Sequence, residues 1–275
     1  MAKLKDMNVT QYMNAVAEAL GAETTIVEKT NGIVFHGVMK GNSNCKATVY
    51  VDSYYASDIP VSEAAKEIDE ILSQNQRNFD VSELTNYEYA KGMLRARLYN
   101  KATNADVFRK SRDFKDLIIV PYIDLGDVNG DGGRASTKVT AQLVERWGVT
   151  EKEVIDTALK NSKEDISIKS MGAVMKEMFT GEKVEDENLG INPEMVVLTN
   201  EEKMYGAITA ITAKAKLKKL FPNGYVILPS SIHEVIAVPY QPGMENELTG
   251  MVNAVNTEEV KPEEILGNRA YVFAA

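Results

Sequence analysis

Only one arrangement in this chain could be drawn as a nucleophile beside a base: Ser230, Ser231, His233 and Glu234, within LPSSIHEVI. On an extended backbone Ser231 and His233 face the same side, so a serine hydroxyl could reach the imidazole. The surroundings argue against catalysis. There is no Gly-x-Ser-x-Gly elbow and no glycine beside the serines to open an oxyanion hole, and triad members normally come from separate elements. Serines next to a proline are ordinary turn chemistry, with hydroxyls that bond nearby backbone groups. The expectation is a structural, hydrogen-bonded turn. The alternative is a hydrolase using His233 with Ser230 or Ser231, completed by a carboxylate from the segment around Asp124.

A second motif, DVNGDG at residues 127–132, copies the first half of a calcium loop: Asp127, Asn129 and Asp131 offer oxygen ligands at alternate positions, with glycine at the sixth. The second half fails. The position that should carry a bidentate carboxylate is Lys138, the ninth is Ala135, and strands are expected where the motif needs helices. Asn-Gly and Asp-Gly also suit a hairpin loop between LIIVPYIDL and ASTKVT, so a turn without metal is expected. His36, in IVFHGVMK, reads as a cross-strand polar contact. Two histidines and the single Cys45 do not make a structural zinc site, and no glycine-rich phosphate loop is present. No cofactor is expected.

Bulk composition narrows the field further. With 31 Lys and Arg against 40 Asp and Glu, the net charge of -9 disfavours binding to nucleic acid. The densest basic run, Lys214, Lys216, Lys218 and Lys219, alternates with leucines and reads as a solvated helix face. No apolar run reaches the roughly 20 residues of a membrane span. A lone cysteine and an amphipathic N-terminus in place of a signal peptide point to a cytoplasmic protein. Met171, Met175 and Met178, at helical spacing, read as adaptable core packing, with an exposed stripe that recruits a partner as the alternative.

The elements that must position these residues follow from periodicity. Val9, Tyr12, Met13, Val16 and Leu20 form a helix face, with Asn8 as cap and Gly21 as stop. Strands over 25–29, 33–40 and 46–51 form a meander, its first reversal a type I′ turn at Asn31-Gly32. A helix follows Pro60, and a second is expected over 83–99. The strand 117–125 contains Pro121, which suggests an edge or a bulge there. Thr150 and Glu153 form a capping box, and Ser170 caps a helix ending near Gly181. Beyond 194, strands at 195–198 and 205–211, a lysine-bearing helix, a central hairpin over 225–238, a further helix and a strand at 269–274 give the order ββαββαβ. The fold class is therefore α+β, mainly antiparallel sheets with helices packed on one face. The expected regions are 1–180 and 194–275, joined by a polar linker at 181–193.

The aspartate-rich hairpin followed by QLVERWGVTEKEV, SMGAVMKEM, VVLTNEEKMYGA and LPSSIHEVI resembles, over most of the chain, a family of uncharacterised bacterial proteins known only as a domain of unknown function. A weaker similarity links WGVTEKEV and the late hairpin to a second, larger uncharacterised bacterial family. Neither resemblance implies an activity or a site residue. The functional expectation rests on the residues alone: a non-catalytic binding or accessory protein, acting through an unknown protein or small-molecule partner and not through nucleic acid or membrane.

Overall fold

The computed structural model describes residues 7–41, 46–75, 82–104, 111–127, 134–184 and 189–274. Cys45, Asn129 and Asp131 lie outside the described residues. The chain divides into two units, Met1–Val81 and Ser82–Ala275.

In the first unit α1 (Val9–Leu20) starts at Asn8, whose side chain accepts from the Gln11 N–H while the Gln11 side chain accepts from the Asn8 N–H. This reciprocal cap satisfies two donors that the first turn would leave orphaned. Gly21, at φ 59°, ends the helix as expected. The meander forms from β1 (Glu23–Glu28), β2 (Val34–Met39) and β3 (Thr48–Tyr50), with Asn31 and Gly32 both at positive φ in the first turn. After α2 (Asp52–Ala56), α3 (Val61–Gln74) buries Ala64, Ala65, Ile68 and Leu72 with Tyr12, Met13 and Val16 of α1.

The second unit holds two antiparallel sheets sharing one core. Short helical turns, including α4 (Tyr87–Ala90), lead into β4 (Leu94–Asn100) and α5 (Lys101–Asn104). The helix expected over 83–99 is thus mostly replaced by a strand. In Leu94-Arg95-Ala96-Arg97-Leu98 the apolar residues recur every second position, and that period of two governs. The first sheet adds β5 (Arg112–Phe114), β6 (Leu117–Asp127) and β7 (Arg134–Lys138). Strand β6 is central, with β4 on one side and β5 then β7 on the other. Pro121 sits where the neighbour changes, after Ile119 pairs with β5 and before Tyr122 pairs with β7, so its missing N–H costs no ladder bond there. The register irregularity falls later, between Asp124 and Gly126.

Helices α6 (Ala141–Trp147) and α7 (Glu151–Asn161) follow, capped by Thr140 and Thr150. Trp147 packs on Tyr87 at 5.4 Å and donates its indole N–H to the Leu84 carbonyl. Next come β8 (Ser167–Ser170), α8 (Met171–Thr180), β9 (Val196–Thr199), α9 (Thr209–Thr212), α10 (Lys214–Leu220), β10 (Gly224–Leu228), β11 (Val235–Pro239), α11 (Glu245–Glu258) and β12 (Tyr271–Ala274). The second sheet runs β12-β10-β11-β9-β8.

Four expectations change here. Residues 205–211 are helical turns, so the C-terminal order is βαββαβ after the two short helices are taken together, and the fifth strand is β8, which precedes the expected linker. The 181–193 segment therefore falls inside the second unit. The β10 residues are all buried, because Val226 and Leu228 pack with Leu248 and Val252 of α11 while Tyr225 and Ile227 enter the main core, so both faces of this sheet are covered. The hairpin β10–β11 is central as expected, with Ile227 and Val235 buried and Ile236 only half-buried. The methionine stripe of α8 points outward: Met175, Met178 and Phe179 are exposed.

Candidate functional site

Alternation along β4 sends Leu94, Ala96 and Leu98 into the core and turns Arg95 and Arg97 to the other face. Arg97 lies opposite Val120, which makes Tyr122 of β6 its diagonal neighbour on the same face, within reach of a long side chain. The Arg97 guanidinium sits between two rings, its carbon 3.7 Å from the centre of Tyr122 and 3.6 Å from that of Tyr205. Its Nη2 donates to Ser136 Oγ at 2.8 Å, and its buried Nε meets no acceptor. Arg97 forms no ion pair among the described residues. Burial raises the hydroxyl of Tyr99 to about 12 and that of Tyr122 above its ordinary value, with Arg97 acting in the opposite direction on both.

Tyr205 is placed by an unusual piece of backbone. It adopts the left-handed conformation, φ 57° and ψ 28°, and is followed by Gly206, where an added Cβ would lie 2.3 Å from Thr199 Oγ1 and 2.5 Å from the Asn200 nitrogen. Only glycine tolerates that approach. His233 locks the arrangement: its Nδ1 accepts from the Tyr205 N–H at 3.1 Å, its carbonyl accepts from the Gly206 N–H and the Thr199 hydroxyl, both at 2.9 Å, and its ring packs on Tyr205 at 5.2 Å.

These bonds define what the Ser230, Ser231 and His233 cluster does. With Nδ1 accepting a backbone N–H, the neutral ring carries its proton on Nε2, which faces Glu264 Oε1 at 3.6 Å. No ring lone pair is left for a serine. Ser231 Oγ instead accepts from the His233 backbone N–H at 3.0 Å, and the Ser230 carbonyl accepts from Leu266. Among the described residues neither serine hydroxyl bonds the imidazole. Asp124, the carboxylate considered for the hydrolase alternative, pairs with Arg134 at 2.5 Å and accepts from the Gly126 N–H at 3.0 Å.

Arg97, Tyr122, Asp124, Arg134, Asp165 and Glu202 line a cleft of about 380 Å³ together with Met204 and Tyr205. Arg134 bridges Asp124 and Glu202, at 2.5 and 2.9 Å. Asp165 Oδ1 accepts from the Glu201 N–H at 2.9 Å, and Asp165 forms no ion pair among the described residues. Burial raises its carboxyl above the ordinary range, and the carboxylates of Glu202 and Glu201 add to the shift. The cleft therefore contains two opposite charges, on Arg97 and Asp165, that form no ion pair among the described residues, Arg95 acting on Asp165 only as the smallest of its influences.

Two other clusters are internally satisfied. Glu177, its side chain 5% exposed, is held by Lys169, by Lys203 at 2.9 Å and by the Val184 N–H at 2.8 Å, and these bonds lower its carboxyl to about 2. In the first unit His36 Nδ1 meets Asp52 Oδ1 at 2.9 Å, its backbone N–H donates to Asp52 Oδ2 at 2.8 Å, and Nε2 lies 3.3 Å from Thr10 Oγ1. The partners come from α1 and from the start of α2, not from the neighbouring strand expected from the sequence. The order hydroxyl, imidazole, carboxylate matches a catalytic relay, which also requires oxyanion donors. The nearby Gln11 N–H is already taken by the Asn8 cap. The triad joins three elements.

Asp127 ends β6 as the partner of Arg134 across the ladder. The other two calcium candidates, Asn129 and Asp131, lie outside the described residues. Among the described residues no group of three or more His, Cys, Asp or Glu is placed to hold a metal ion. Among the described residues no helix is long and apolar enough to cross a membrane.

Sequence reasoning missed Arg97, Tyr122, Tyr205 and Asp165. The signal for Arg97 was the alternation in LRARLY; nothing local marks the other three. Comparisons with curated proteins and with solved structures give no match. The model of the family of unknown function DUF5688 matches residues 3–275, and the chain belongs to that family.

Proposed function

We propose that the Ser82–Ala275 unit is a binding module whose cleft holds a small ligand by its carboxylate, against Arg97. The observation that carries this reading is the Arg97 guanidinium itself: clamped between two tyrosine rings, with a buried Nε lacking an acceptor and no ion-pair partner among the described residues. A cation taken partly out of water is expensive unless something compensates it, and an oriented guanidinium fork matches a carboxylate. The three acidic side chains of the same cleft, Asp124, Asp165 and Glu202, favour a monoanion over a doubly charged phosphate, which they would repel. The raised hydroxyl of Tyr122 stays protonated near neutrality, where it serves as a donor and not as a base. His233 is occupied in positioning Tyr205.

Acetate tests the reading. Titrated into the full chain, it should give a saturable rise in melting temperature that is absent in Arg97→Gln, with inorganic phosphate giving none at equal ionic strength. An equal response of wild type and Arg97→Gln to acetate overturns it.

A further inference from the structure

We infer, resting on the carboxylate reading above, that the ligand of this cleft is a small zwitterion whose protonated amine sits on Asp165 while its carboxylate sits on Arg97. Arg97 and Asp165 both line one cleft of about 380 Å³, carry opposite charges, and are not in ion-pair contact with each other or with any other described residue. Two such groups with freedom to meet would pair. Here each is fixed elsewhere, Arg97 by the rings of Tyr122 and Tyr205 and by Ser136, Asp165 by the Glu201 N–H. They are held apart, and a molecule carrying both charges compensates both at once.

The remaining cleft charges do not compete for these roles. Arg134 is engaged by Asp124 and Glu202 together, so neither its cation nor those two carboxylates is free to take a ligand charge without breaking an existing bond. A cleft of this volume lies near the lower end of the range for small-molecule sites, which suits a molecule of amino-acid size. Met204, half exposed, and the ring of Tyr205 offer apolar contact to whatever the ligand carries between or beside its charges. The chemical class is an amino carboxylate.

The test is calorimetric titration of the full chain with acetate, methylammonium, and a series of amino carboxylates of increasing chain length, from glycine through β-alanine to 4-aminobutyrate. One or more amino carboxylates should bind about tenfold tighter than acetate, as expected when a second charged hydrogen bond is added. Asp165→Asn, which retains the oxygen that accepts from Glu201, should erase that advantage and leave acetate binding unchanged. Arg97→Gln should weaken both. If no amino carboxylate exceeds acetate, or if Asp165→Asn leaves the advantage intact, the zwitterion inference is overturned while the carboxylate reading stands. If neither acetate nor any amino carboxylate binds, both fall.

Discussion

At the scale of single residues, the molecule treats its charges unequally. Glu177 has every bond a buried carboxylate needs, whereas Asp165 is partly desolvated, close to two other carboxylates and in no ion pair among the described residues, with Arg95 the weakest of the influences on it. Such a residue costs stability whenever it is ionised. Its raised folded-state value means that the favourable state is the protonated one: relative stability is present below the unfolded value near 3.8 and is lost as pH rises through the folded value. Asp165→Asn should therefore raise the melting temperature at neutral pH, and the gain should vanish below roughly pH 4 in thermal scans of both proteins. For Glu177 the sign reverses. Its contribution is present above the unfolded value of 4.5 and should fade as pH drops towards about 2, so Glu177→Gln should be destabilised at pH 7 and approach wild type in acid. His233 supplies a third test. Removing its ring strands the Tyr205 N–H and one face of the Tyr205 ring, so His233→Ala should cost about 1–3 kcal/mol by denaturant titration. It should also weaken acetate binding through the displaced Tyr205, although His233 does not line the cleft.

At the scale of elements, legibility tracked how local the deciding physics was. The caps of α1, α7 and α8 could be read because a cap needs only neighbouring residues: Asn8 with Gln11, or Thr150 with the Glu153 N–H. The Asn31-Gly32 turn was readable for the same reason. Strand β4 was obscured by the helical turns just before it, which extend a helix-like composition into a segment whose own period is two. Residues 205–211 looked like a strand because isoleucine and threonine favour one. Their actual conformation follows from Gly206 lodging against Thr199 and His233, a contact between distant segments. The site was hidden by the same logic, since Arg97, Tyr122, Tyr205 and Asp165 come from four separate places in the sequence. Within β10–β11 the structure also ranks two isoleucines that sequence treats alike. Ile227→Ala, at 2% exposure, should cost about 2–5 kcal/mol, and half-buried Ile236→Ala clearly less, in paired urea titrations.

At the scale of the whole molecule, α+β with three antiparallel sheets was foreseeable from hairpins alternating with helices, but the division was not. The boundary falls between Val81 and Ser82, where the sequence has no glycine or proline cluster, while the acidic, glycine-bearing 181–193 segment is spanned by the pairing of β8 with β9. A linker-like composition marks a loop; whether it marks a boundary depends on which strands pair across it. The core of Ser82–Ala275 draws on both of its sheets and on α6, α7 and α10. Expressed alone, that unit should therefore fold cooperatively and retain acetate binding, as judged by a single sigmoidal melt and by calorimetry.

Trp147 is the one tryptophan of the chain, and it is buried among residues of the second unit, beneath Tyr87 and bonded to Leu84. The first unit has tyrosines and no tryptophan. The molecule thus carries a built-in optical label on one unit only. Selectively excited indole emission follows the melting of Ser82–Ala275, whereas far-ultraviolet circular dichroism sums the helices and strands of both units. Coincidence of the two signals across a denaturant series would mean that the units unfold as one; separation would give each its own stability without cutting the chain.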